Sequence, residues 1–135
     1  MFDTVKHLFS ENLVGALATV NADGTPWVVP VHLFCDGEYV YWFSKETTQH
    51  SQNILRSPMV SVTLYPASPV GGLQGVYVNG SAEALSPEAS VSSQSLVEER
   101  LGIVPESFKA FTAYRVPLGK MSEDKSSGNC WYFYS

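Results

Sequence analysis

Cysteine is scarce in this 135-residue sequence, which contains only Cys35 and Cys130, far apart along the chain. No CxxC spacing exists, and the three histidines match no common metal-binding pattern, so we predict no metal site. Two free thiols fit this cysteine content better than a single disulfide. Free thiols are typical of a reducing compartment, and we therefore predict a cytoplasmic protein.

Charged residues are also few. They make up 16% of the chain, below the ~25% of an average globular protein. This deficit indicates that a partner or a ligand removes part of the surface from water. The net charge of −5 argues against a general nucleic-acid binder, because such proteins are usually basic.

Long apolar runs are absent, so the sequence predicts no membrane span of ~20 residues. The first residues, "MFDTVKHLFSENL", contain an early acid and no continuous apolar core, unlike a signal peptide. Hydrophobic residues nevertheless make up 44% of the chain, and a chain of this length can bury a proper core. The length fits one domain, which we predict to span residues 1–135.

Short apolar segments separated by turn residues run through most of the sequence. Alternation and β-branched residues predict strands at residues 13–20, 27–34, 39–44, 59–65, 73–85, 111–118 and 130–135. The segment "NADGTP" is typical of a hairpin turn between the first two strands. Pro30 cannot donate to a strand ladder, so its strand should lie at an edge, at a bulge or beside something other than a strand. Gly80 predicts a bend or a bulge in the fifth strand.

Helical signals are fewer than strand signals. Residues 2–9 carry apolar side chains at the spacing of one face of a short amphipathic helix. A second helix should span about residues 48–56, because Pro58 stops it. A third should begin at Pro87 with Ser86 as its cap and end near residue 101, followed by a short helical piece in "PESFKAF". Together these elements predict a mainly β protein, a small antiparallel barrel with a few short helices.

The segment "YWFSKETTQHSQNILRSP" runs from a strand directly into a polar helix start. The first turn of a helix leaves backbone N–H groups without partners, and the helix dipole adds positive charge there, so a phosphate fits this position. Thr47 and Thr48 could supply hydroxyl groups, His50 a cationic donor and Lys45 further charge. The alternative is an ordinary helix cap, in which a threonine satisfies the helix end and His50 is solvated.

The order of "ALATVNADGTPWVVPV", "FSKETTQHSQNI", "SPMVSVTLY" and "GVYVNGSAEAL" resembles the pyridoxamine 5′-phosphate oxidase-like family, whose fold is the FMN-binding split barrel. The resemblance covers residues 2–85 well and the rest of the chain weakly. It implies a homodimer with FMN at the interface and a flavin-dependent oxidoreductase acting on an unknown small substrate. No catalytic acid or base is implied, because the flavin supplies the redox chemistry.

The resemblance also implies which residues lie at the cofactor. In this sequence they are Val29, Pro30, Val31, Phe43, Ser44, Thr48, Gln49, His50, Gln74 and Trp131. The first three belong to a strand along the flavin ring, and Phe43 and Ser44 to a strand end near the ribityl phosphate. Thr48-Gln49-His50 falls on the phosphate motif, while Trp131 near the C-terminus is placed to reach the site of a partner subunit.

The sequence departs from the vitamin-producing oxidases at several of these positions. His50 stands where lysine is usual, and Val29 and Phe34 replace the basic residues of one strand. Gly75 replaces a glutamine, with Gln74 only adjacent. The activity of a true pyridoxamine phosphate oxidase is therefore not expected. The remaining alternatives are a non-catalytic flavin carrier, sensor or stress protein, and a relative that uses a deazaflavin or haem.

Overall fold

A computed structural model describes residues 2–66, 74–122 and 128–134. The helices are α1 (Phe2–Glu11), α2 (Gln49–Arg56) and α3 (Pro87–Leu101), with a 3₁₀ helix at Glu106–Ala110. The strands are β1 (Val14–Val20), β2 (Pro26–His32), β3 (Phe34–Cys35), β4 (Tyr39–Ser44), β5 (Met59–Leu64), β6 (Gln74–Ser81), β7 (Glu83–Ala84), β8 (Thr112–Pro117), β9 (Met121–Ser122) and β10 (Cys130–Tyr134).

The strands form two sheets that do not close into a continuous cylinder. One sheet has six strands in the order β2-β1-β5-β6-β10-β9, and the other has four in the order β3-β4-β8-β7. All neighbouring strands are antiparallel except β9 and β10, which run parallel. The fold is therefore a mainly β split barrel, which confirms the predicted fold class.

The main core lies between the two sheets and under α1. Trp42, Leu17 and Leu33 are among its largest fully buried side chains, and Val5 and Leu8 of α1 complete it. The apolar spacing of the N-terminal helix thus marks its buried face, as predicted. A second cluster lies on the other side of the four-stranded sheet, where α3 and the 3₁₀ helix cover β4.

Local signals place the helix ends correctly. The Ser86 side chain accepts a hydrogen bond from the Ala89 N–H, and Pro87 is the first residue of α3, as predicted. Gly102 ends α3 with a φ of 80°, a conformation that favours glycine because it has no Cβ. The predicted helical piece after α3 is the 3₁₀ helix.

Two predicted strands are each divided in the structure. The segment 27–34 is β2 followed by β3, because the chain leaves the larger sheet at Leu33, whose N–H bonds to the Leu13 carbonyl. The segment 73–85 is β6 followed by β7, with the Ala82 N–H bonded to the Pro58 carbonyl at the crossing. The first residue of that prediction, and most of the loop before it, lie outside the described residues.

Of the bend or bulge predicted at Gly80, the bulge is wrong, and the chain leaves the larger sheet two residues later, at Ala82. The register of β5 with β6 continues through Gly80, which pairs with Val60. A Cβ at Gly80 would instead come within 2.9 Å of the Val116 side chain in the other sheet. The glycine is needed for the close approach of the two sheets, which is the other common reason for glycine in a strand.

Candidate functional site

The start of α2 leaves backbone donors available. Thr48 caps the helix, and its Oγ1 accepts a hydrogen bond of 3.2 Å from the Ser51 N–H. The Gln52 N–H bonds to the Thr48 carbonyl. No hydrogen bond involves the N–H groups of Gln49 and His50 within the described part of the chain. These two donors, at the positive end of the helix dipole, are therefore available to an anion.

His50 is buried at this helix start, with 7% of its surface exposed. Its Nε2 lies 2.7 Å from the Ser44 Oγ at the end of β4 and 3.3 Å from the Thr48 Oγ1. Burial lowers the pKa of His50 below its usual value of 6.5. The imidazole is thus mainly neutral at pH 7 in the free protein, and the solvated His50 of the ordinary-cap alternative is wrong.

A network centred on Asn53 fixes α2 against the hairpin of β1 and β2. Asn53 is fully buried, and its Nδ2 donates to the Thr19 Oγ1 at 3.0 Å and to the Asn21 Oδ1 at 2.9 Å. Gln49 donates to Asn53 at 3.1 Å and to Asn21 at 3.3 Å. Arg56 donates to the Asn53 Oδ1 as well. Sequence reasoning did not find Asn21, because its contact with α2 spans 32 residues of the chain.

The strand β2 lies at the edge of the six-stranded sheet, as the proline predicted. Val29 and Val31 point inwards and pack against the main core, whereas Pro30 is exposed on the opposite face. The side chains of Val29 and Val31 are therefore not available to a ligand at this edge, and their backbone groups face β1, in step with the Leu33 N–H that bonds to the Leu13 carbonyl. α2 contacts both β1 and β2, and Gln49 in its first turn donates to Asn21 between these strands, so the helix start lies beside the β1–β2 hairpin.

Two adjacent residues of β4 have different environments. Ser44 is on the barrel side and meets His50, as described above. Phe43 faces the second cluster, where its ring lies 5.7 Å from that of Phe34 and 5.8 Å from that of Phe108. The Phe43 side chain is thus occupied by packing, and only its backbone could approach a ligand at the helix start.

Gln74 and Trp131 lie on other strands than the rest of the predicted site. Gln74 is in β6 and accepts a hydrogen bond of 3.0 Å from the Tyr132 hydroxyl. Trp131, in β10, is 8% exposed. The register aligns Pro30, Ala16, Thr63, Tyr77 and Trp131 in one row across five strands. Four strand spacings separate Trp131 from Pro30, about 19 Å, so one chain does not bring them together.

The side of the larger sheet that faces away from the main core is apolar along β1 and much of β2 and polar at Ser61 and Thr63 of β5, and we call it the outer face. It carries Val14, Ala16, Ala18 and Val20 of β1, Val28 and Pro30 of β2, and Met59 of β5. Val28 is 67% exposed and Met59 56%. Contiguous apolar surface of this kind is typical of an interaction site.

Aromatic residues and ionisable groups elsewhere are accounted for by packing and pairing. Tyr41 and Trp42 are buried, so the aromatic run of β4 belongs to the core. Arg115 donates to the Tyr41 hydroxyl, pairs with Glu83 at 2.5 Å and lies over the Tyr39 ring, and the bonds to Tyr41 and then Glu83 raise its pKa. Within the described residues, no group of histidine, cysteine and carboxylate side chains could hold a metal ion, and both cysteines are free.

The structure is thus a split barrel in which the start of α2, with two backbone donors that no described residue accepts from, lies beside an edge strand. The chain belongs to the pyridoxamine 5′-phosphate oxidase family, whose model matches residues 1–121. No curated protein matches the chain significantly. In the described part of the chain, no helix is long and apolar enough to cross a membrane.

Solved structures of similar fold carry several different names. The conserved hypothetical protein Rv2991 from Mycobacterium tuberculosis is 22% identical, with a TM-score of 0.76 over 98% of this chain and 83% of that one. The heme storage protein HutZ from Vibrio cholerae is 19% identical, with a TM-score of 0.72 over 85% and 87%. An F420 reductase is 26% identical, with a TM-score of 0.65 over 83% and 90%. Other similar structures are longer, and this chain spans 56% of one and 48% of another.

Proposed function

We propose that the protein binds FMN, with the phosphate at the start of α2 and the ring along the open edge of β2. The observation that carries this proposal is the pair of unpartnered N–H groups of Gln49 and His50 beside the Thr48 hydroxyl. They fit a phosphate group, which accepts several hydrogen bonds at a helix N-terminus. Lys45 is exposed just before the helix and adds positive charge. Membership of the family supports flavin as the cofactor class.

We further propose that the active form is a homodimer with the cofactor between two copies. Two cavities of this chain are lined by residues of α1, α3, β6 and neighbouring segments, and neither involves β2 or α2. Because β2 is an edge strand, a flavin ring along it would have one wall in a single chain and would need a second. The outer face supplies a surface for a second copy, and Trp131, which the register places on this face but which is only 8% exposed, adds little to it. The aromatic residues Tyr41, Trp42 and Phe43 of β4 are buried and do not contribute to it.

The proposed chemistry is divided between the bound flavin and the residues of the chain. A bound flavin supplies hydride transfer, and the chain supplies position and electrostatics. The N–H groups of Gln49 and His50 would fix the phosphate, while Asn53 holds α2 in register with the β1–β2 hairpin. His50, held at Ser44, would take up a proton when the phosphate arrives, because a nearby dianion raises a histidine pKa. An oxidoreductase acting on a small substrate is the function that this arrangement supports best.

The names of two relatives define the competing cofactors. F420 carries an acidic tail, and a chain with a net charge of −5 offers little attraction to it. A haem needs an axial ligand, and the His50 Nε2 is already within 2.7 Å of the Ser44 Oγ. His7 and His32 are exposed, and His7 pairs with Glu11. FMN therefore remains the preferred cofactor of the three.

Titration with FMN, riboflavin, F420 and hemin, followed by flavin fluorescence or absorbance, tests this assignment. We expect FMN to bind at about one site per chain and riboflavin, which lacks the phosphate, to bind at least tenfold more weakly. The benefit of His50 should be present at mildly acid pH and lost as pH rises through its bound-state pKa. A His50→Lys variant should hold FMN affinity nearly flat up to about pH 9, because lysine titrates near ~10.4. Equal affinity for FMN and riboflavin would show that the start of α2 does not bind the phosphate.

Turnover separates an enzyme from a flavin carrier. If the bound flavin is reduced by NAD(P)H and reoxidised repeatedly by an added acceptor, the protein is an oxidoreductase. A flavin that binds tightly but is reduced no faster than free FMN would favour the carrier, sensor or stress-protein alternative.

A further inference from the structure

One of the two cavities, which we call the α1–α3 cavity, lies away from the candidate FMN site. Its volume is about 470 Å³, within the range typical of small-molecule sites. Phe9 of α1, Leu33, Phe34 of β3 and Leu96 of α3 provide apolar walls. None of the residues that line it belongs to β2 or α2. It is therefore a separate space on the same chain.

Arg100, in the last turn of α3, lines this cavity and carries an unexplained donor. Its Nε is buried and has no hydrogen-bond partner. No ion pair or hydrogen bond of the guanidinium with the described residues is present either. A buried donor without an acceptor is costly, and a native structure rarely leaves one unless a ligand or water completes it. The Nε itself has almost no accessible surface, so a ligand in the cavity would meet the terminal N–H groups of the guanidinium, which have no partner among the described residues.

The other charges at the cavity favour a monoanion. Lys6 of α1 adds a second cation to the wall. Asp36 is also there, but its carboxylate accepts bonds from the N–H groups of Glu38 and Tyr39 and from the Tyr41 hydroxyl. Glu99 is exposed at the same wall. Because Asp36 is already bonded, Arg100 remains at this wall as a guanidinium that no described residue pairs, and one guanidinium matches one carboxylate.

We propose that the α1–α3 cavity binds a small carboxylate with an apolar body. The carboxylate would pair with the planar fork of Arg100, which matches two carboxylate oxygens. The apolar body would lie against Phe9, Leu33 and Phe34. This site is independent of the flavin and of the proposed homodimer.

Benzoate is a suitable probe, with benzamide as its neutral isostere and inorganic phosphate as a dianion. Calorimetry of the full chain should give saturable benzoate binding and at least tenfold weaker binding of benzamide and of phosphate. Arg100→Gln should weaken benzoate tenfold to a hundredfold and leave benzamide unchanged. Arg100→Lys should also weaken benzoate, because it keeps the charge and loses the fork. Glu99→Gln, the neighbouring control, should leave benzoate binding unchanged or tighter.

Cys35 offers a readout at the cavity wall. It is partly exposed whereas Cys130 is fully buried, so a thiol reagent should label Cys35 first, and a Cys35→Ser variant identifies its signal. Benzoate should slow this labelling in the wild type and not in Arg100→Gln, with circular dichroism confirming that both are folded. The proposal is overturned if benzoate and benzamide bind alike, if phosphate binds better than benzoate, or if folded Arg100 variants retain wild-type benzoate affinity.

Discussion

His50 is a buried, weakly basic side chain at the position that we propose binds an anion. Folding removes it from water, so its pKa is lower in the folded chain than the ordinary 6.5. Between these two pKa values the unfolded chain binds more protons than the folded one, and the free energy of unfolding therefore falls as pH falls. The loss begins near pH 6.5 and is complete below the folded-state pKa.

We expect a His50→Gln variant to lose this part of the pH dependence. Urea unfolding of the wild type without FMN should show stability falling from pH 7.5 towards pH 5, and the variant should show a flatter profile over that interval. His7→Gln is the control, because His7 is exposed and pairs only with Glu11 in the described part of the chain. Hydrogen bonds lower the pKa values of the Asp23 and Asp36 carboxyl groups, so these groups change the free energy of unfolding only below this pH interval. Parallel profiles for wild type and His50→Gln would contradict a lowered His50 pKa.

At the scale of the element, α2 combines a structural cap with the proposed phosphate site. Thr48 satisfies the Ser51 N–H, and its hydroxyl lies 2.7 Å from the Ser51 Oγ. Ser51 in turn contacts the Tyr114 hydroxyl, which belongs to β8. The cap thus connects the helix start to the four-stranded sheet, while Asn53 connects the helix to the six-stranded sheet.

A Thr48→Ala variant should lose about 1 kcal/mol of stability, the usual contribution of a helix cap. It should also weaken FMN binding, because the helix start and one hydroxyl donor are both affected. Thr48→Ser should restore most of both properties. The same change one residue earlier, Thr47→Ala, should have little effect on stability, since Thr47 is exposed and outside the helix. Equal loss of stability in Thr47→Ala and Thr48→Ala, measured by urea unfolding, would show that Thr48 is not the cap that matters.

A feature could be predicted from the sequence when the residues that determine it lie close together along the chain. The caps at Ser86 and Thr48 rest on residues three positions away, and the sequence predicted both helix starts to within a residue. The strand breaks at Leu33 and Ala82 depend on carbonyl groups of other segments, which no local pattern reveals. The burial of His50 was missed for the same reason.

At the scale of the whole molecule, the low charge content and the outer face have one explanation in common. A chain with 16% charged residues leaves apolar side chains of β1, β2 and β5 in contact with water when it is alone. An interface between two copies would cover them, and a stable homodimer of this kind buries on the order of 2,000 Å² or more. The proposed flavin site then needs the dimer, because β2 forms only one wall.

A Val28→Lys variant should therefore turn the dimer into a monomer and weaken FMN binding at the same time. Val28 is on the outer face and 67% exposed, so the isolated chain should tolerate lysine there with little loss of stability. At an apolar interface, the same lysine would bury an unpaired charge. Val91→Lys is the matched control, since Val91 is 61% exposed on α3, away from the outer face, and should leave the dimer intact. Sedimentation at micromolar concentration and FMN titration of the wild type and both variants test whether the outer face forms the proposed dimer interface. A monomeric wild type that binds FMN, or a dimeric Val28→Lys variant with unchanged affinity, would exclude the outer face as the wall of the flavin site.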